Sequence, residues 1–335
     1  MIIDEVEKII KPVYLVGGSV RDQLLNKVPK DYDFATPLSP EEVENAIREA
    51  GRKPYLAGKR FGTIGFKIKY EGKYEIVEVT TFRNEKYVKG SRKPDVTFVK
   101  DITADLSRRD FTINAIAIRG NKDTFIDPFD GITDIKNKII RCVGKPAHRF
   151  KEDPLRMLRA CRFASTLGFN VDDETLDSMK QLNYKILEVS KERWMQELDK
   201  LLVSNNPTRG LILLMNTGML KFMMPELSLQ FEYNQNNPHH KFDLWAHTLR
   251  VVKACPNDIN FRWSALLHDI GKPFVRKDKI DKSNYIKHEL VSAEIVKKYA
   301  TYLKWSNSRT ETVLNIVKNH MSIDSPLKQY EELSK

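Results

Sequence analysis

The period of the apolar residues changes near residue 150, and that change divides the chain. Before it, short apolar runs alternate with polar positions at the spacing of strands. Val13–Val16, Tyr32–Ala35, Gly62–Tyr70 and Tyr74–Thr81 read as strands, the last two joined as a hairpin through Glu71-Gly72. Ser39–Gly51 reads as a helix with Ser39 as N-cap, Pro40 in the first turn and Gly51 as the stop. Residues 83–94 are polar and basic and end at Pro94, so they are expected to form a mobile loop between strands. From about residue 151 the strand signal fades. Asp153–Thr166, Asp173–Lys185, Ser190–Leu202 and Thr208–Thr217 carry helical spacing, as do segments near 243–255, 261–270, 288–303 and 309–320. Asn234–Lys241 is a polar break. The expected fold is α+β: an α/β head with a mixed sheet, followed by all-helical neck, body and C-terminal domains. The boundaries expected are 1–145, 146–225 and 235–335.

A chain of 335 residues exceeds one ordinary core, which agrees with several domains. With 41% hydrophobic and 30% charged residues it has the composition of a soluble globular protein. No apolar run approaches a membrane span, and Met1–Lys11 mixes Asp, Glu and Lys, unlike a signal peptide. Cys142, Cys161 and Cys255 lie far apart without metal-type spacing and are expected to be buried thiols in a reducing cytoplasm. A net charge of +11 favours an acidic polymer as partner but is equally a common solubility device.

The densest chemistry lies early. Gly17-Gly18-Ser19-Val20-Arg21-Asp22 can bring backbone amides close to a polyphosphate, and a helix starting at Ser19 would aim its positive end there. Asp31 and Asp33 alternate onto one face of a strand, where two carboxylates call for a cation such as Mg²⁺. Glu75 or Glu78 on the neighbouring strand could supply a third carboxylate, and a plain ion pair remains an equal reading for Glu78. Arg108-Arg109 precede Asp110-Phe111-Thr112-Ile113-Asn114-Ala115; they either grip phosphate oxygens or cap a buried segment. In Glu152-Asp153-Pro154-Leu155-Arg156, followed by Arg159 and Arg162, Asp153 and Arg156 form a donor–acceptor pair that could read cytosine or adenine. The same pair could be an ordinary helical salt bridge, and the residues alone do not choose.

Taken together, these four motifs, in this order and spacing, resemble those of the class II (bacterial-type) tRNA nucleotidyltransferase and poly(A) polymerase family over roughly the first 220 residues. The resemblance implies that Asp31 and Asp33 hold the catalytic Mg²⁺ ions, with Glu78 as the candidate third carboxylate. It implies that Gly18, Arg21 and Arg109 bind the incoming nucleotide, and that Asp153 and Arg156 template CTP or ATP with Arg159 and Arg162 on the same helix. A tRNA 3′-hydroxyl would then attack the α-phosphate in a two-metal reaction that releases pyrophosphate. The retained segment from Arg83 to Pro94, with Tyr87 and Lys89, implies addition of C, C and A rather than C, C alone. Poly(A) synthesis and partial addition use the same motifs. The family often carries a further helical tail that grips tRNA, and by that resemblance either this chain is compact or its tail is reduced or truncated.

His247, His268-Asp269 and His288, with His320 further on, can converge from several helices on a second divalent metal. Leu266-Leu267-His268-Asp269-Ile270-Gly271-Lys272 resembles the HD phosphohydrolase domain, whose final Asp has no evident counterpart, since Asp324 sits in a different context. A metal-dependent phosphohydrolase with a nucleotide-binding head, or a non-enzymatic RNA-binding scaffold, are the rival readings.

Overall fold

The computed structural model describes residues 1–86, 95–120, 124–236, 242–280, 282–322 and 324–332. The chain forms two compact units, Met1–Asp153 and Pro154–Lys335.

In the first unit a six-stranded sheet runs in the order β3-β4-β2-β1-β7-β8. Its strands are β1 (Tyr14–Val16), β2 (Tyr32–Thr36), β3 (Thr63–Tyr70), β4 (Lys73–Thr81), β7 (Ala117–Arg119) and β8 (Thr124–Ile126). β2 and β4 pair in parallel and the other neighbours are antiparallel, so the sheet is mixed. Alternation decides the faces: Ile64, Phe66, Phe34, Val77 and Val79 are at most 1% exposed and form one side, with Val43 and Ile47 of α3 (Pro40–Glu49) in the same core. α3 starts as the sequence expects, with reciprocal hydrogen bonds between Ser39 and Glu42 and Pro40 in the first turn. On the other side Val16, Ala35, Phe82, Leu106, Ala115, Ala117 and Val143 form a buried cluster. α4 (Ile102–Ser107) contributes Leu106 to that cluster and leads into Arg108 and Arg109, and α2 (Gly18–Leu24) follows its Val16 through the glycine turn.

One expectation is corrected here. Arg83–Lys86 is a strand, β5, paired antiparallel with β6 (Asp95–Phe98). Only 87–94 fall outside the described residues, Tyr87 and Lys89 among them. A two-stranded ribbon needs no apolar alternation to satisfy its backbone, so its polar sequence hid it.

The second unit is helical. α7 (Leu155–Leu167) packs on α9 (Lys191–Leu202) and α10 (Pro207–Asn216). Further along, α13 (Leu244–Ala254), α14 (Ile259–Leu267), α16 (His288–Tyr302) and α17 (Asn307–Lys318) pack together around buried Trp263, Val251, Val296 and Val317. The expected helix over 173–185 ends at Leu182 and tightens into a 3₁₀ segment, Asn183–Glu188. A two-residue ladder, Lys277–Asp278 with Ser283–Asn284, is a strand pair that the helical pattern does not announce. Among the described residues no helix is long and apolar enough to cross a membrane.

Candidate functional sites

Gly17 sits at φ +74°, a conformation that favours glycine, and so turns the chain from β1 into α2. The turn also demands a residue without Cβ. A Cβ there would stand 2.8 Å from Arg109 Nη1 and 3.9 Å from Asp33 Oδ2. The Arg109 guanidinium therefore lies directly against the glycine turn and beside the carboxylate of β2. Gly18 is open in the same way toward Arg21, whose Nη2 would be 3.5 Å from an added Cβ.

Arg21 is fixed by a chain of hydrogen bonds. Its Nε and Nη2 donate to Asp22 Oδ1 at 2.9 and 2.7 Å, and its Nη1 donates to Asn114 Oδ1 at 2.6 Å. Asn114 Nδ2 in turn donates to buried Asp110 at 3.0 Å. Arg109 is held by Asp105, with Nη2 3.2 Å from Oδ2. Asp105 also bridges Arg108 at 2.8 Å and accepts from the Arg83 amide at 3.2 Å. Burial pushes the Asp105 carboxyl up, but the two arginines outweigh it and hold it below its ordinary value. Arg109 Nε is buried and has no hydrogen-bond partner among the described residues. Inside a folded protein such a donor calls for an acceptor.

The carboxylates share one sheet face. Asp33 and Glu78 are register partners across the parallel β2–β4 pair, and Asp31 precedes β2 by one residue. Solvent reaches all three residues. Desolvation raises Asp33 above the usual carboxylate range, Arg109 opposes the shift and Asp31 adds to it. Glu78 is raised by desolvation and then by Asp33 and Asp31. Glu75 faces the other way and acts on Tyr32, so Glu78 is the third carboxylate of the face. The three oxygen donors do not gather within 4.8 Å of one another, unlike the histidine groups below. Their mutual repulsion and all-oxygen character fit a hard divalent cation such as Mg²⁺.

Asp153 caps α6 (Pro146–Glu152) and is the last residue of the first unit, whereas Arg156 is buried in the first turn of α7 in the second. Arg162 Nε donates to Glu197 Oε2 of α9 at 2.5 Å, and Arg159 Nη1 lies 3.7 Å from Oε1 of the same carboxylate. Arg162 also stacks on Phe163, 3.9 Å from the ring centre. Glu197, which ties this face of α7 to α9, lies outside the sequence motifs.

In the second unit His247 of α13, His268 and Asp269 at the end of α14, His288 opening α16 and His320 after α17 meet. All are between 0 and 4% exposed. His268, His288 and His320 place Nδ1 within 2.6–2.8 Å of the carbonyls of Ala265, Tyr285 and Val317. A carbonyl only accepts, so Nδ1 carries the hydrogen and Nε2 turns inward. His247 Nε2 lies 3.2 Å from His268 Nε2, and His288 Nε2 lies 3.1 Å from His320 Nε2. Asp269 stands between the pairs, 3.5 and 3.3 Å from the first and 3.0 and 3.6 Å from the second. Imidazoles fixed by outer carbonyls around one carboxylate are a donor set that fits a transition metal. His320 belongs to the cluster on equal terms with His288, while exposed Asp324 belongs to neither metal-capable group. Lys272 Nζ is 2.7 Å from Asp269 Oδ2 and also donates to Gln235. Burial would raise the Asp269 carboxyl, but Lys272, His268 and His288 hold it well below its ordinary value. Gly271 makes the convergence possible, because a Cβ there would collide with the His288 carbonyl and the Ser292 amide.

The first unit thus has the sheet, glycine turn and paired carboxylates of a polymerase-type nucleotidyltransferase head. Residues 13–141 match the Poly A polymerase head domain, 168–230 the Probable RNA and SrmB-binding site of polymerase A, and 244–333 the HD domain. The chain is 36% identical to a CCA-adding enzyme of Lactococcus lactis subsp. cremoris over 84% of its length and 67% of the relative's. It is 40% identical to that of Pediococcus pentosaceus over 73% of this chain and 62% of the relative, and 37% identical to that of Levilactobacillus brevis over 81% and 63%. It therefore belongs to the family of the CCA-adding enzymes. The chain spans about three fifths of the length of the Pediococcus and Levilactobacillus relatives and two thirds of the Lactococcus one. The crystal structure of the Bacillus stearothermophilus CCA-adding enzyme in complex with CTP is similar at a TM-score of 0.62 and 28% identity, over 99% of this chain and 81% of that one.

Proposed function

We propose that this chain is a CCA-adding tRNA nucleotidyltransferase that adds C, C and A to the 3′ end of tRNA from CTP and ATP, releasing pyrophosphate, in the cytoplasm. The observation that supports the reading is the position of Arg109 against the Gly17 turn and beside Asp33, a guanidinium next to a carboxylate, as the binding of a metal-bound triphosphate would require. Relatives named CCA-adding enzymes, one of them holding CTP, support the same reading.

In this reading Asp31 and Asp33 would hold Mg²⁺, with Glu78 as the third carboxylate of the face. When bound there the ion would lower the pKa of the attacking hydroxyl and offset charge developing on the phosphate. Arg109 and Arg21, with the Gly18 turn, hold the triphosphate, and Asp105 and Asn114 keep the two guanidiniums aimed. Asp153 and Arg156 read the edge of cytosine or adenine, rejecting guanine and uracil by their carbonyl pattern. Arg159 and Arg162, joined to Glu197, fix the face of α7 on which Arg156 stands. Residues 146–225 serve RNA and residues 235–335 form the HD domain. A divalent metal at His247, His268, Asp269, His288 and His320 is favoured by the outward Nδ1–carbonyl bonds of three of the histidines.

Incubating the protein with a tRNA transcript ending at the discriminator base, with CTP and ATP singly and together, and sequencing the 3′ ends tests the proposal. Ends reading CCA are expected. A long run of A would make the chain a poly(A) polymerase, and unchanged ends would refute transfer altogether.

A further inference from the structure

Arg149 of α6 joins the segment that carries Arg108 and Arg109 to the residue assigned to the base. One edge of its guanidinium spans two carbonyls: Nη2 donates to Ser107 at 2.7 Å and Nε to Val143 at 2.9 Å. Ser107 is the last residue of α4 and stands directly before the two arginines. The Val143 amide donates to the carbonyl of Asp110, directly after them, at 3.2 Å. The arginine pair is thus held directly on one side and through Val143 on the other. At the opposite end of Arg149, Nη1 donates to Glu152 Oε2 at 2.8 Å, and its own carbonyl accepts from the Asp153 amide at 3.1 Å.

Each contact has a plain use by itself. A guanidinium at the C-terminal end of α4 complements the helix dipole, and an Arg–Glu pair one turn apart adds slightly to a helix. Neither explains a single fork that reaches across 42 positions and joins both segments. Seating α6 is not its task, since Pro146 and Phe150 already bury that helix in the core. With only seven residues, however, α6 cannot hold its last turn, and with it Asp153, by helix formation alone. A nucleoside triphosphate has a limited reach from base edge to outer phosphates. A site that grips one end with Arg109 and reads the other with Asp153 works only if the two stand at a matching distance.

We infer that Arg149 is a positioning residue for the incoming nucleotide, a strut that sets the distance between the phosphate-gripping arginines and the base-reading Asp153. This rests on the nucleotidyltransferase reading and deepens it. Arg149 touches no part of the substrate; it acts through the Ser107 and Val143 carbonyls on one side and the end of α6 on the other.

The test compares Arg149→Lys with the wild-type protein in transfer from CTP and from UTP to a tRNA transcript, and in equilibrium binding of CTP and of inorganic tripolyphosphate. Lysine keeps the charge but is a point donor that cannot span two carbonyls. Transfer should show kcat/KM for CTP falling about thirtyfold and the preference for CTP over UTP about tenfold. Binding of CTP should weaken about tenfold, whereas tripolyphosphate, which meets only the arginine end, should bind within about twofold of wild type, because Asp105 still holds Arg109. A lowered unfolding midpoint with these ratios unchanged overturns the strut and leaves Arg149 a purely structural residue. Equal losses for CTP and tripolyphosphate also overturn it, since Arg149 would then support the phosphate grip alone. Should Arg149→Lys fail to fold, Arg149→Gln, whose amide still donates to one carbonyl, takes its place with the same expected ratios. If the wild-type protein transfers no nucleotide, the enzyme reading falls, while the binding comparison still decides the role of Arg149.

Discussion

Two groups of ligand-type side chains stand out among the described residues, and they are built in opposite ways. In the head, Asp31, Asp33 and Glu78 stand on a solvent-reached strand face, where desolvation, and after it their mutual repulsion, pushes the Asp33 and Glu78 carboxyls up. In the HD segment five ligand-type side chains are buried, three of the histidines are locked by carbonyls, and Lys272 is in direct contact with the one carboxylate. An open oxygen cluster with arginines aimed beside it suits a substrate that enters and leaves. A sealed cluster with its own internal cation suits stability first. The expected consequence is that disturbing the head costs rate and disturbing the HD cluster costs folding.

Asp33→Ala should produce the largest effect: a loss of incorporation of at least about a thousandfold, roughly 4 kcal/mol of barrier. Affinity for tRNA by anisotropy should stay within threefold, and a parallel loss of binding would place Asp33 in the RNA site instead. Next, Asp269→Ala leaves Lys272 without its buried partner and should destabilise the second unit by about 3–5 kcal/mol, read by denaturant unfolding. A change under 1 kcal/mol would show that the cluster is not a structural element. Arg109→Lys loses the planar fork held by Asp105 and should lower kcat/KM for CTP about a hundredfold. Arg156→Ala should blur the choice between C and U by about 1–3 kcal/mol, measured as the ratio of kcat/KM values.

The smallest effect concerns pH. Asp105 is held below its ordinary value by Arg108 and Arg109, whereas an unfolded aspartate titrates near about 3.9. Its contribution to stability is therefore complete above about pH 4 and disappears as the pH falls through the lower folded value. Unfolding free energy should drop on acidification through that window, and Asp105→Asn should flatten the drop. An unchanged slope would remove Asp105 as the anchor of the arginines.

Much of the head was legible because its signals are local. Alternation marked β1 to β4, Ser39-Pro40 marked the start of α3, and Asp31-x-Asp33 survived as neighbours on one face. The anchoring partners were less visible. Asp105 lies one helical turn before Arg109, an i to i+4 spacing that could have flagged it, but its neighbours looked like an ordinary cap. Asn114 meets Arg21 across 93 positions, a contact that no periodicity encodes. Glu197 meets Arg159 and Arg162 on another helix for the same reason. In the HD segment His268-Asp269 was legible as a motif. His320 was a candidate by residue type alone and its equal standing came from the packing of α14, α16 and α17, while Lys272, three residues after Asp269, had only its spacing as a cue. The β5–β6 ribbon was missed because exposed strands carry no burial pattern.

The contrast between the clusters is tested most directly by assaying Asp33→Asn and Asp269→Asn side by side. Each is incubated with CTP, ATP and a tRNA transcript ending at the discriminator base, at a temperature where both are folded, and the 3′ ends are sequenced. The account predicts unextended ends for Asp33→Asn and ends reading CCA for Asp269→Asn. CCA ends from Asp33→Asn, or unextended ends from a folded Asp269→Asn, would contradict it.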